Sequence, residues 1–119
     1  MNLPALERTT HHGIPVLHSD IRATFTGALM FAVGIRDESP RTAGITHLLE
    51  HAVMAGVGKV RVLHNARTAE DVIEFFAEGS EADVVDFLGR VARSIATIDS
   101  LTDETVSEQH RIVAAEMGE

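Results

Sequence analysis

The 119-residue chain contains no cysteine. Disulfides and thiolate chemistry are therefore excluded, and any metal must be held by histidine, aspartate or glutamate. Tryptophan and tyrosine are absent too, so stacking on bases or sugar rings is an unsuitable mode of recognition. Basic residues are few: 10 Lys and Arg stand against 18 Asp and Glu, a formal net charge of -8. That argues against nucleic acid or an anionic membrane as the main partner and leaves a neutral or cationic peptide open. No apolar run approaches the ~20 residues of a membrane-spanning helix. The opening MNLPALERTTHHG has no apolar segment behind a basic start, so no secretory signal is read. The expectation is a soluble cytoplasmic protein folded as one domain over residues 1–119. Apolar residues make up 45% of it, enough to build a real core.

What is present reads as alternating elements without linker, repeat or low-complexity tract. Residues 6–18, around Gly13-Ile14-Pro15-Val16-Leu17, read as an edge strand or the start of a hairpin, since proline is tolerated at an edge. Residues 27–34, GALMFAVG, form an apolar run too short for a good helix and predict a central strand covered on both faces. A polar turn, RDESPRT, follows. Residues 42–55 predict a helix stopped by Gly56 and Gly58. Strands are expected at 59–67 and 72–77, with a turn at 68–71. Ser80 followed by Asp83 resembles a capping box. Val84, Leu88, Val91 and Ile95 then make a helical stripe to about Ile98. A last helix starts at Thr102–Asp103, with Val106, Val113 and Met117 among its apolar positions. The order predicts an α+β fold: a mostly antiparallel sheet with helices packed on one face.

The stretch GITHLLEHAVMAG, residues 44–56, carries the chemistry. Residues four apart on a helix lie one turn above each other, so His47 and His51 can aim two imidazoles at one point. Glu50 lies beside His51 and one turn from His47, within reach of a water on the same ion. Zinc with three protein ligands keeps a fourth position for water and lowers its pKa towards 7; a neighbouring carboxylate can take the proton. Helix phase groups Ile45, Leu48, Leu49 and Ala52 on the packing side and sets the histidines nearly opposite. The competing reading is a solvent-facing histidine pair with a solubilising glutamate. A zinc site also needs a third protein ligand elsewhere in the chain.

The stretch resembles the inverted zinc motif, His-x-x-Glu-His, of the pitrilysin/insulinase family of peptidases. The resemblance extends through GIRDESPRTAGITHLLEH, the turn Asn65-Ala66-Arg67-Thr68, the segment FAEGSEADVVDFLGRVARSI and the helix containing RIVAAE. It implies a minimal half-domain of that type and a zinc-dependent peptidase. Carried over, His47 and His51 are zinc ligands, Glu50 is the general base and Glu116 is the third ligand. Asn65 and Ala66 lie near an extended peptide substrate. The segment between Gly56 and Asn65 is shorter than in the family, where an extra helix usually stands. Gln109, with Glu108 beside it, occupies the register of a second acidic residue that usually supports the family's site.

The residues themselves keep alternatives open. Ile112 and Val113 put Glu116 beside the apolar stripe of the last helix, where a carboxylate is costly to bury without a cation; it could also be a surface residue, with Glu108 as the fallback ligand. His11 and His12 read as an exposed pair, His18 and His64 as surface or loop residues, His64 with a possible place in the cleft, and His110 as part of a solvated face. Family members pair such lobes into a clamshell. The resemblance therefore implies a homodimer, or a heterodimer with a second lobe. The other function classes are a non-catalytic zinc-binding lobe that binds peptide or a second subunit, and a hydrolase of a small molecule or one dedicated peptide.

Overall fold

The computed structural model describes residues 5–21 and 24–116. Strands β1 (Glu7–His11) and β2 (Ile14–His18) form an antiparallel hairpin. His12 and Gly13 between them have φ of 50° and 81°, the left-handed pair that a two-residue hairpin turn needs. Pro15 sits opposite Thr10. Among the described residues these strands pair only with each other, and every residue in them is exposed. The radius of gyration is 16.0 Å and the longest extent 48 Å, against about 13.5 Å expected for the radius of a compact domain of this length.

The second sheet holds β3 (Phe25–Phe31), β4 (Leu63–Thr68) and β5 (Ile73–Gly79), in the antiparallel order β3-β5-β4. Alternation along β5 sets its two faces: Ile73, Phe75 and Ala77 are buried, whereas Glu74 and Glu78 point away. Across the sheet Leu29, Phe75 and Ala66 lie in register on the helix side. Helix α1 (Ile45–Val57) stands between β3 and β4, and α2 (Glu81–Ala96) and α3 (Asp103–Glu116) come after β5, the order expected from the sequence. Ser80 caps α2, its hydroxyl accepting the Asp83 N–H at 3.2 Å. Val84, Phe87 and Val91 of α2 are fully buried against Val53 and Phe75, and they form the centre of the core.

Four expectations are corrected. The 27–34 run is not a central strand: β5 is central, and β3 is an edge whose outward Met30 is 62% exposed. Only alternate β3 side chains reach the helices, and apolarity alone does not say whether the other face is covered. The strand expected from residue 59 starts at Leu63, although Val62 turns into the core. In α1 the buried seam is Thr46, Glu50, Val53 and Val57, with Ala52 beside it; Ile45 and Leu49 are exposed. Two polar residues occupy the seam, so counting apolar positions rotates the helix wrongly. Of the apolar residues expected to pack in the last helix, Val113 is buried and Val106 is exposed; Met117 lies outside the described residues.

Candidate metal centre

The N-terminus of α1 is fixed by a residue far outside the helix. Gly44, at φ 87°, turns the chain into α1 and has no side chain with which to cap it. Glu38 takes that role. One carboxylate oxygen accepts the Gly44 N–H at 2.9 Å and the other the Thr46 N–H at 3.0 Å. The Thr46 hydroxyl bond, then the Gly44 and Thr46 amides, hold the Glu38 carboxyl below its ordinary pKa. A negative charge also suits the positive end of the helix dipole. The turn carrying Glu38 is anchored in its own right: the Ile35 and Arg36 N–H groups donate to the Ala69 and Glu70 carbonyls at 3.0 and 2.9 Å. The polar segment 35–38 thus ties α1 to the loop between β4 and β5.

One turn into the helix, His47 and His51 face the same point, with 3.1 Å between their Nε2 atoms. Glu116, at the end of α3, brings Oε2 to 3.3 Å from His47 Nε2 and 3.1 Å from His51 Nε2. These three residues form a group whose ligand atoms could hold a metal ion. The spacing fits one: a tetrahedral ion with bonds of 2.0–2.1 Å has ligand–ligand edges of about 3.3 Å. Two imidazole nitrogens and a carboxylate oxygen also match the donor preference of zinc. The Glu116 side chain is 50% exposed, so the triad opens to solvent. Glu108, the fallback ligand, is instead bonded to Arg111.

Glu50 is 9% exposed and lies on the buried seam rather than in the triad. The Thr68 hydroxyl of β4 donates to its Oε2. Two clefts meet at Glu50 and Ala66. A cavity of about 160 Å³ is walled by His51, Met54, His64 and Asn65 as well. A wider one, about 550 Å³, adds His47, Arg67 and Thr68. Asn65 and Ala66 line the smaller cavity, and the Asn65 side-chain oxygen accepts the Ala66 N–H at 2.9 Å. β4 is the sheet edge beside these clefts.

Several polar residues separate clearly by place. His64 lies in the cleft, its Nδ1 2.7 Å from the Val62 carbonyl and its ring 5.1 Å from that of Phe87. His11 and His12 sit on the exposed hairpin, His18 lies 3.4 Å from Glu7 there, and His110 is exposed on α3. Sequence reasoning singled out neither Glu38 nor Thr68 for the site. Thr68 had one signal, its place in the Asn-Ala-Arg-Thr turn; Glu38 had only its position before a helix that begins with glycine.

No protein-family description and no curated protein matches the chain. Among solved structures it is similar to a protease from Helicobacter pylori, with a TM-score of 0.77 over 96% of this chain at 23% identity. The likeness is one of fold. The chain spans 31% of that protein's length. No helix among the described residues is long and apolar enough to cross a membrane.

Proposed function

We propose that this chain is the zinc-binding catalytic lobe of a metallopeptidase of the pitrilysin/insulinase type. The observation that carries the reading is the convergence of His47 Nε2, His51 Nε2 and Glu116 Oε2 beside the carboxylate of Glu50. The fold likeness to part of a protease supports it. His47, His51 and Glu116 would hold the ion. Bound there, zinc would supply Lewis acidity and lower the pKa of a water in its open position. Glu50 takes the proton from the attacking water and delivers it to the departing amine. The peptide lies extended along the free edge of β4, paired through main-chain hydrogen bonds. Asn65 and Ala66 are its nearest contacts, and the Ala66 N–H leaves the Asn65 side chain to meet it.

The lobe covers under a third of the similar protease, and its triad is open on one side. A second lobe, in a homodimer or a heterodimer, would close the cleft. A second reading, a partner-dependent lobe that binds zinc and peptide without cutting, draws on the bare outer face of the sheet at Met30 and Leu63. Glu50→Gln separates the two. Under the peptidase reading the wild type holds about one zinc per chain and cleaves peptide, while Glu50→Gln keeps the zinc and loses cleavage. A wild type that binds zinc and cuts no peptide, alone or with a second lobe, favours the binding lobe. A chain that takes up no zinc rules out both.

A further inference from the structure

We infer that Thr68 is a positioning residue for Glu50, holding its carboxylate in the attitude of a base rather than that of a fourth metal ligand. The inference rests on the proposed role of Glu50. A carboxylate one residue from His51 is drawn towards any cation between the two histidines, and as a ligand it would occupy the position a water needs. Oε2 of Glu50 is engaged by the Thr68 hydroxyl. Among the described residues no other hydrogen bond reaches that carboxylate. One oxygen is thus tied to the sheet and the other is left for a water.

The donor is well suited to holding a direction. Thr68 is β-branched, so its χ1 is stiff in a strand. It lies at the end of β4 opposite Ile73, whose side chain is buried. Glu50 is itself nearly buried, with α1 fixed at its start by Glu38. Thr68 is also on the strand that carries Asn65 and Ala66, so the base and the peptide-pairing edge share one support. A peptide that shifts β4 shifts the base with it.

Thr68→Val keeps shape and removes the donor; Thr68→Ser keeps the donor; Thr68→Ala repeats the removal should valine disturb folding. In the zinc-loaded full chain, with an internally quenched fluorescent peptide as substrate, Thr68→Val is expected to lower kcat about tenfold, a part of the usual effect of a general base, with KM altered less than about twofold. Thr68→Ser restores most of the rate. A valine variant with wild-type kcat, or a serine variant as slow as the valine one, overturns the inference. The cobalt-loaded chain gives a readout that needs no catalysis. The wild type should show the visible bands of a four-coordinate ion, and Thr68→Val bands shifted in position and shape, because a carboxylate would replace water in the fourth position. Identical cobalt spectra would overturn the inference. If the wild type cuts no peptide, alone or with a second lobe, the peptidase reading fails and the cobalt spectra alone decide the role of Thr68.

Discussion

The Ser94 hydroxyl of α2 donates to the Val53 carbonyl of α1 at 2.7 Å, in a buried position where the two helices cross. Gly56 makes room for it: a Cβ there would stand 2.2 Å from Ser94 Oγ and 3.1 Å from Ser94 Cβ. Gly56→Ala should therefore destabilise by roughly 1–3 kcal/mol, through crowding and a displaced buried hydroxyl. That outweighs the ~1 kcal/mol alanine gains over glycine in a helix. Ser94→Ala alone should cost about 1 kcal/mol. The double variant should be more stable than Gly56→Ala, because the obstructing hydroxyl is gone. Urea unfolding of the four proteins checks this, and simple additivity would refute the steric account.

Gly34 is more tightly confined. It is buried, and a Cβ would meet the Ala69 carbonyl oxygen at 2.4 Å and the Asp71 nitrogen at 2.6 Å. Both are main chain and cannot rotate aside, unlike the Ser94 hydroxyl. Gly34→Ala should cost at least about 3 kcal/mol and break the Ile35–Ala69 and Arg36–Glu70 bonds. Since those bonds anchor the turn that carries Glu38, zinc affinity should fall as well. Unfolding and zinc titration of the same sample test the two effects together; loss of stability with unchanged zinc affinity would uncouple the turn from the site.

The Glu38 cap gives α1 a pH dependence of known sign. Its folded-state pKa is lowered, first by the Thr46 hydroxyl and then by the Gly44 and Thr46 amides. The stabilisation is therefore complete above the ordinary carboxylate range and disappears as pH falls through the folded value. Glu38→Gln should lower Tm at pH 7 and narrow its difference from wild type as the pH drops to about 3. Calorimetry across that interval measures it. A constant gap would show that the charge plays no part in the cap.

Glu116 and Glu108 stand on the same helix with opposite expectations. Glu116→Ala should weaken zinc binding by more than about a hundredfold, beyond the usual 10–100-fold effect of outer-shell partners. Glu108→Ala removes only an exposed ion pair with Arg111 and should leave the affinity unchanged. Competition with a chromophoric chelator gives both numbers. Equal losses would mean that the carboxylate ligand had been misassigned.

The histidines were legible because helical spacing alone aligns positions four apart. The third member of the triad was not, since nothing local ties Glu116 to residues far back in the chain; it came from likeness to a family. Thr68 and Glu38 escaped for a related reason. Their partners lie 18 and up to 8 residues away, and threonine and glutamate are ordinary in polar turns. The buried seam of α1 was misread because Thr46 and Glu50 hold positions that a hydrophobic count awards to Ile45 and Leu49. The α+β layering was readable from element order, whereas β3 as an edge was not: an apolar run records what a strand could bury, not what stands over it.

Helix α3 leans mainly on α1 and buries only Val113 among its described residues. A cation shared by His47, His51 and Glu116 would then act as a buckle, closing the long loop of chain between the two helices and offsetting its closure entropy. The obligation is reciprocal. Whatever loosens the last helix loosens the ion, and scarcity of the ion frees the helix. The protein would register metal supply as attachment or release of helix α3, well before its core responds.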